Sequence, residues 1–261
     1  MDLPRRWRIL RDPPSAGAWN MAVDEALARC LEPDQGILRI YRWVRPTLSF
    51  GRNQSARDRF DPHAASALGV EFVRRPTGGR EVLHDRELTW SLALPLRNPD
   101  GLRGTWTRVN RALVAAVRSL GLGDAGSAGP GPAASPDAGA CFRLPAEGEV
   151  MAGGRKLAGS AQRRVGNALL QHGSLLLAPS CVRIQGLGRP GKAISGQEDA
   201  AHLEELLGGP VAFDVVARAV EAALAAEYGG QWSRDDLRRD EEEVAASLQG
   251  HYESPEWTWR R

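Results

Sequence analysis

Among the 34 basic residues of this 261-residue chain only two are lysines, Lys156 and Lys192, and all the others are arginine. Lys156 lies in the run Gly153-Gly154-Arg155-Lys156-Leu157-Ala158-Gly159-Ser160-Ala161-Gln162, which continues to Leu170-Gln171-His172-Gly173-Ser174. Arginine stays charged at any accessible pH, whereas a lysine ammonium can exchange a proton when a site requires it. The small residues around Lys156 let backbone amides approach a ligand closely. A plain hairpin with a lysine at its tip would look much the same. A second glycine stretch upstream changes that balance: Arg74-Arg75-Pro76-Thr77-Gly78-Gly79-Arg80-Glu81-Val82-Leu83-His84-Asp85. Thr77-Gly78-Gly79 lacks both the GxGxxG spacing of a dinucleotide fingerprint and the Gly-Lys-Ser/Thr ending of a phosphate loop. Its glycines can still present amides to an oxygen anion, with Arg74, Arg75 and Arg80 adding positive potential. A tight hairpin with exposed arginines is the structural alternative.

The chain also carries three thiols, Cys30, Cys141 and Cys181. An odd number without framework spacing fits a reducing cytoplasm rather than a disulfide scaffold. Cys141 precedes Lys156 by one hairpin length, and an ammonium nearby would stabilise negative charge on its sulfur and favour nucleophilic attack. Cys30 falls on a helical apolar stripe and reads as a small buried hydrophobe. Cys181, after Leu175-Leu176-Leu177-Ala178-Pro179, is the competitor, and the physical reading puts Cys141 only modestly ahead of it. His84 and Asp85 are adjacent, so on a strand they point to opposite faces and form no direct dyad. His84 and His172 read as pocket-lining or backbone-satisfying residues. Without a CxxC pair or a His/Cys cluster at zinc spacing, no metal is expected.

The elements that must position these groups alternate along the chain. Trp19, Ala22, Val23, Ala26, Leu27 and Cys30 recur at helical spacing, with Asp24 and Glu25 off the stripe on what reads as a solvated face. Strands are expected at 37–43, 48–50 and 70–75, and Asp61-Pro62 opens a short helix that Gly69 ends. Leu88, Trp90, Leu92 and Leu94 alternate with smaller residues as a half-buried strand ended by Pro95. Val109, Leu113, Ala116, Val117 and Leu120 mark a second amphipathic helix. Residues 123–140, almost entirely Gly, Ala, Ser, Pro and Asp, cannot bury enough apolar surface to offset their ordering entropy and read as a mobile loop. The part from 195 to 250 reads as helical. It has a capping box at Ser195-Gly196-Gln197-Glu198, helices at 213–228 and 233–248, and a solvated charge run at 234–243.

Composition limits the function classes. A net charge of +2 offers no bulk attraction for nucleic acid. No apolar run approaches a membrane span, and the start has no signal-peptide core, so a cytoplasmic protein is expected.

Four motifs, in order, carry a family resemblance over nearly the whole chain. They are Asn20-Met21-Ala22-Val23-Asp24-Glu25-Ala26, then Gly51-Arg52-Asn53-Gln54, then Arg74-Arg75-Pro76-Thr77-Gly78-Gly79-Arg80 with His84-Asp85, and finally Gly154 to Gln162 with Gln171-His172-Gly173. The chain resembles the biotin/lipoate protein ligase and octanoyltransferase superfamily. Gly-Gly-Arg at 78–80, where activating ligases usually carry three glycines, and Ala140-Cys141-Phe142 ahead of the lysine motif are most similar to its cysteine-dependent octanoyltransferase branch. The resemblance implies a single α+β catalytic domain over 1–261, a mixed, largely antiparallel sheet flanked by helices. It implies acyl transfer from octanoyl-acyl carrier protein, through a thioester on Cys141 assisted by Lys156, to a lysine of a lipoyl-domain protein such as the glycine-cleavage H protein. Arg75, Thr77, Gly78, Gly79, His84, Gly159, Ser160, Ala161 and His172 would line the substrate site, with no cofactor. The alternatives are a lipoate–protein ligase using ATP and magnesium, or a non-catalytic acyl- or cofactor-binding relative. Residues 143–153 depart from the aromatic-containing pattern of the family.

Overall fold

The computed structural model describes residues 3–96, 100–130, 139–143 and 145–261. In chain order its first elements are β1 (Arg6–Arg11), α1 (Gly17–Arg29), β2 (Gln35–Tyr41), β3 (Thr47–Phe50), α2 (Pro62–Ala67) and β4 (Glu71–Arg74). Then come β5 (Val82–His84), β6 (Glu87–Pro95), α3 (Gly101–Ser119), β7 (Gly126–Ser127), β8 (Val150–Ala152), β9 (Arg155–Val165) and β10 (Ala168–Leu176). The chain ends with α4 (Leu203–Leu207), α5 (Phe213–Tyr228), β11 (Gln231–Arg234), α6 (Arg239–Glu253) and α7 (Pro255–Thr258).

Eight strands form one sheet in the order β11-β1-β2-β6-β10-β9-β8-β7, and β4-β3-β5 form a second, smaller one. The pairs β11–β1, β1–β2 and β3–β4 are parallel and the others antiparallel, so the fold is mixed α+β with a largely antiparallel sheet flanked by helices. One face of the large sheet packs on α3 and α5 through Trp90, Leu92, Val109, Leu113, Val220 and Leu224. The other face takes α1, which is in turn covered by α6. Among the described residues, no helix is long and apolar enough to cross a membrane.

Several expectations are corrected by packing that no single segment reveals. Asp24 and Glu25 are not on a solvated face: α1 is enclosed between sheet and α6, and both carboxylates are buried. Cys30 is the C-cap residue of α1 and is partly exposed rather than buried. The β6 strand is buried on both faces, not half-buried. The capping box at Ser195 starts no helix: Gln197 accepts from the Leu83 amide, Glu198 accepts from Gln185, and the helix begins at Leu203. The expected helix at 233–248 is preceded by β11, which pairs in parallel with β1. Within the charge run, Glu241 is buried against the guanidinium of Arg8. The expected mobile loop at 123–140 is in part the sheet edge. Ala125 is buried, β7 pairs with β8, and the Ala128 amide donates to Glu149 O at 2.8 Å. Residues 131–138 of that loop lie outside the described residues.

Candidate active site

The β8–β9 hairpin turns through Gly153 and Gly154, both at positive φ (55° and 73°), a conformation that favours glycine in a two-residue hairpin. Lys156 follows directly, 2% exposed. An ammonium has three donors, and all three of this one's directions are accounted for. Nζ lies 2.9 Å from the Cys141 carbonyl oxygen, 2.6 Å from Glu149 Oε2 and 3.4 Å from Cys141 Sγ. The Phe142 ring lies 5.0 Å from Nζ. Gly159 makes room for this arrangement, because a Cβ there would meet Nζ at 2.9 Å and displace the end of the lysine.

Cys141 opens a short 3-10 turn and is partly exposed. Its amide donates to Glu81 O at 2.9 Å, and Phe142 anchors it in a cluster with Val82, Leu176 and Ala200. The second glycine stretch reaches the same place from the other side: Arg80 Nη2 donates to Cys141 O at 3.1 Å. Cys181, the competitor, is exposed, with its amide bonded to Asp85 Oδ2, and it does not line the cavity next to Cys141.

The arginines of the glycine loop are buried, not exposed. Arg74 Nε and Nη1 donate to the carbonyls of Trp257, Thr258, Gly51 and Gln54. Burial, followed by the neighbouring charges of Arg260, Arg75 and Arg261, lowers its pKa to about 10. Arg75 donates to Ser49 O and Oγ and to the carbonyls of Gly78 and Arg80, and burial holds it too below the ordinary guanidinium value. These contacts fix the shape of the loop. Gly79 has φ +92°, and a Cβ on Gly51 would meet Gly79 O at 1.9 Å, so the two glycines let the backbones of the two loops touch.

Behind the loop lies a second buried network. Sheet register aligns Arg39 with Ser91, Tyr41 with Thr89, Ser91 with His172 and Thr89 with Ser174, which puts all six side chains on the face under α1. Asp24 on α1 accepts from Arg39 Nη1 (2.8 Å), Tyr41 OH (2.9 Å), Ser91 Oγ (2.7 Å) and His172 Nδ1 (3.0 Å). Burial opposes the charge of Asp24, yet the His172 hydrogen bond and the Arg39 guanidinium hold it below the ordinary carboxylate value. Burial lowers His172, so a neutral ring donates from Nδ1 to Asp24 and accepts at Nε2 from Thr77 Oγ1, 2.6 Å away. His84 bridges Glu87 Oε1 (2.7 Å) and Ser49 Oγ (2.6 Å), with Trp43 stacked on its ring at 4.1 Å. Its adjacent Asp85 turns away to Ser180 Oγ.

Between these networks opens a small cavity of about 40 Å³. Met21, Tyr41, Trp43 and Val82 wall it, and Cys141 stands at its edge. Of the sequence-derived residues, Arg75, Gly79, His84, Gly159, Ser160, Ala161 and His172 line it. Thr77 and Gly78 do not: the Thr77 hydroxyl is turned to His172, and the Gly78 carbonyl to Arg75. Lys156 reaches the sulfur from outside the cavity wall. Glu149 and Glu87 escaped the sequence reading, which placed Asp24 on a solvated face. Only Asp24, inside the first-helix motif, carried a signal that could have found it.

An α+β domain with an apolar slot lined by a thiol that a lysine contacts from behind the wall is suited to acyl-group chemistry. The family model described as the lipoyl protein ligase A/B catalytic domain matches residues 16–225, and the chain belongs to that family. It is 38% identical to octanoyltransferase LipM of Kyrpidia tusciae, with 98% of this chain and 99% of the relative covered. It is 34% identical to octanoyltransferase LipM of Moorella thermoacetica, with 98% of each covered. Among solved structures it superposes on lipoate-protein ligase A bound with ATP with a TM-score of 0.81 and 25% identity, over 97% of this chain and 98% of the other. Like the first two relatives, the chain is an acyltransferase, an octanoyltransferase of lipoate biosynthesis.

Proposed function

We propose that this chain takes an octanoyl group from octanoyl-acyl carrier protein onto Cys141 and passes it to a lysine of an apo lipoyl domain, such as that of the glycine-cleavage H protein, in the cytoplasm. The observation that carries the reading is the 3.4 Å approach of Lys156 Nζ to Cys141 Sγ at the edge of an apolar slot. In the first half, Cys141 sulfur attacks the thioester carbonyl; a C–S bond to Cys141 forms, the C–S bond to the carrier breaks, and the carrier sulfur takes the proton that the Cys141 thiol gives up. In the second half the acceptor amine attacks; a C–N bond forms and the C–S bond to Cys141 breaks. The Lys156 ammonium offsets the negative charge that sulfur carries as it attacks and as it leaves. Amides near Gly79 and Gly159, which line the slot, would donate to the developing oxyanion. The thioester donor is already activated, so the reaction needs no nucleotide. Because a related fold binds ATP, the test is run without it. Enzyme incubated with octanoyl-carrier protein and no ATP is expected to gain the mass of one octanoyl group and to lose it on adding a lipoyl domain. Lipoylation that requires ATP and free lipoate, and survives Cys141→Ala, would overturn this reading in favour of a ligase.

A further inference from the structure

Glu149 is the one carboxylate that the described residues place on Lys156, and nothing in the reaction as written so far uses it. It is 3% exposed, so a lone charge there would be costly and must be held in place for a reason of packing or of chemistry. Its carboxylate is tightly oriented. The Ala146 amide donates to Oε2 at 2.6 Å, the Glu149 amide donates to Ala146 O at 3.1 Å, and its carbonyl receives the Ala128 amide from the sheet edge. The turn 146–149 therefore aims the carboxylate at Nζ before any substrate arrives. Since Nζ is 2.6 Å from Oε2 and 3.4 Å from Sγ, carboxylate and sulfur stand within roughly 6 Å, the range over which one charge governs the ionisation of another.

We propose that Glu149 is a positioning residue that acts through Lys156 as the proton acceptor of the second half-reaction. The inference rests on the Cys141 acyl-enzyme reading. When the acceptor amine attacks the Cys141 thioester, its nitrogen becomes positive and must shed a proton. Lys156 is already an ammonium with all three donors engaged, so it can take that proton only by handing one of its own to Glu149 Oε2. The N–H bond of the acceptor breaks, an N–H bond to Nζ forms as another breaks, and an O–H bond to Glu149 forms. As the C–S bond breaks, the Cys141 sulfur takes a proton back from Nζ, and Nζ takes one from Glu149. The amide product leaves, and thiol, ammonium and carboxylate are restored with no co-reactant.

The test is Glu149→Gln, which keeps shape and a hydrogen-bond acceptor but removes the negative charge. Two readouts are expected to move in opposite directions. Transfer from octanoyl-Cys141 to a lipoyl domain should fall by about 10²-fold in kcat with KM for the acceptor unchanged, the scale of a lost acid–base group. Alkylation of Cys141 by iodoacetamide at one near-neutral pH should speed up several-fold, because the thiolate loses a repelling neighbour. A packing role alone would not accelerate alkylation. Glu149→Asp, which restores the charge but withdraws it from Nζ, should bring alkylation back to the wild-type rate and kcat part of the way. If the Gln variant does not fold, a kcat several-fold below wild type with unchanged KM in the Asp variant carries the proposal. Equal alkylation rates in Glu149→Gln and wild type, or wild-type kcat in either variant, overturn it. Alkylation needs no acyl donor. A failure of the octanoyl reading therefore shows as no adduct on Cys141 in wild type, separately from the ratio of alkylation rates.

Discussion

Two buried carboxylates reach the cavity lining through their partners, Asp24 through Tyr41 and His172 and Glu149 through Lys156 and Cys141, and they are built on different plans. Asp24, on a helix enclosed between sheet and helix, receives donors from Arg39, Tyr41, Ser91 and His172, which come from three strands. Glu149, in a turn at the sheet edge, receives the Lys156 ammonium and one backbone amide. The first network is closed: its donors and acceptors are matched inside the protein, and His172 passes the last bond to Thr77 in the glycine loop. The second ends at a partly exposed sulfur. A closed network rigidifies what lies on it, whereas an ionic group that ends on a reachable nucleophile can exchange protons with a substrate. The division assigns shape to the Asp24 side and chemistry to the Glu149 side, and it is open to being broken from either end.

The largest effect is expected at the thiol. Cys141→Ala should abolish both the octanoyl adduct and transfer, while Cys181→Ala and Cys30→Ala retain them, as read by intact-protein mass. The thermal midpoint of Cys141→Ala should stay close to wild type, because the sulfur is partly exposed and its anchor is Phe142. An adduct that persists in Cys141→Ala and disappears in Cys181→Ala would move the chemistry to Cys181, outside this cavity.

On the closed side the pattern reverses. Asp24→Asn leaves Arg39 with less than its full charge partner in a site that is 0% exposed. Removing one member of such a pair costs about 3 kcal/mol of stability, to be read as a lower urea midpoint, while transfer per folded molecule stays within about threefold of wild type. A variant that keeps its stability and loses transfer would show that Asp24 belongs to the chemistry instead.

Lys156→Arg sharpens the same contrast with a smaller change. The guanidinium keeps the charge but is planar and does not give up a proton, and Gly159 leaves space shaped for a single Nζ. Octanoyl-carrier binding should persist and the transfer rate should drop by about 10²-fold, with a native fold whose urea midpoint is lowered by the bulkier head. Retention of most of the rate would mean that the lysine acts as a fixed charge only.

The same two regions differ in how far they could be read from the chain. Gly153-Gly154 followed by Lys156 signals a hairpin locally, and the fifteen-residue step back to Cys141 suits the β8–β9 fold-back that brings the two together. Glu149 could not be found that way. It sits among residues with no periodic pattern, and only the turn 146–149 aims it at the lysine. Asp24 was misplaced for another reason: helical periodicity in α1 reports one apolar stripe, and the second cover, from α6 more than 200 residues later, leaves no mark in the helix itself. The strand β11 was lost likewise, because its reason for existing is a parallel partner at the other end of the chain.

The smallest effect is the one that reports on the closed network without a rate measurement. Burial lowers the pKa of His172 from its ordinary value of 6.5, although Asp24 pulls the other way. In the unfolded chain this ring takes up a proton near 6.5; in the native protein it does so only at lower pH. The unfolded state therefore binds more protons as the solution is acidified, so the contribution of His172 is fully present above about 6.5 and is lost as pH falls toward the native value. Asp24 is held below 3.8 and adds nothing to this window. His202 and His251 are lowered in the same direction by burial, so wild type alone cannot isolate the effect. Comparison with His172→Gln can, because Gln donates to Asp24 and accepts from Thr77 without titrating. Between pH 7.5 and 5.5, wild type should lose more stability than the variant, as measured by urea midpoints. Parallel losses in the two proteins would mean that the native ring takes up its proton at the same pH as the unfolded one, and with it that the Asp24 side is not closed.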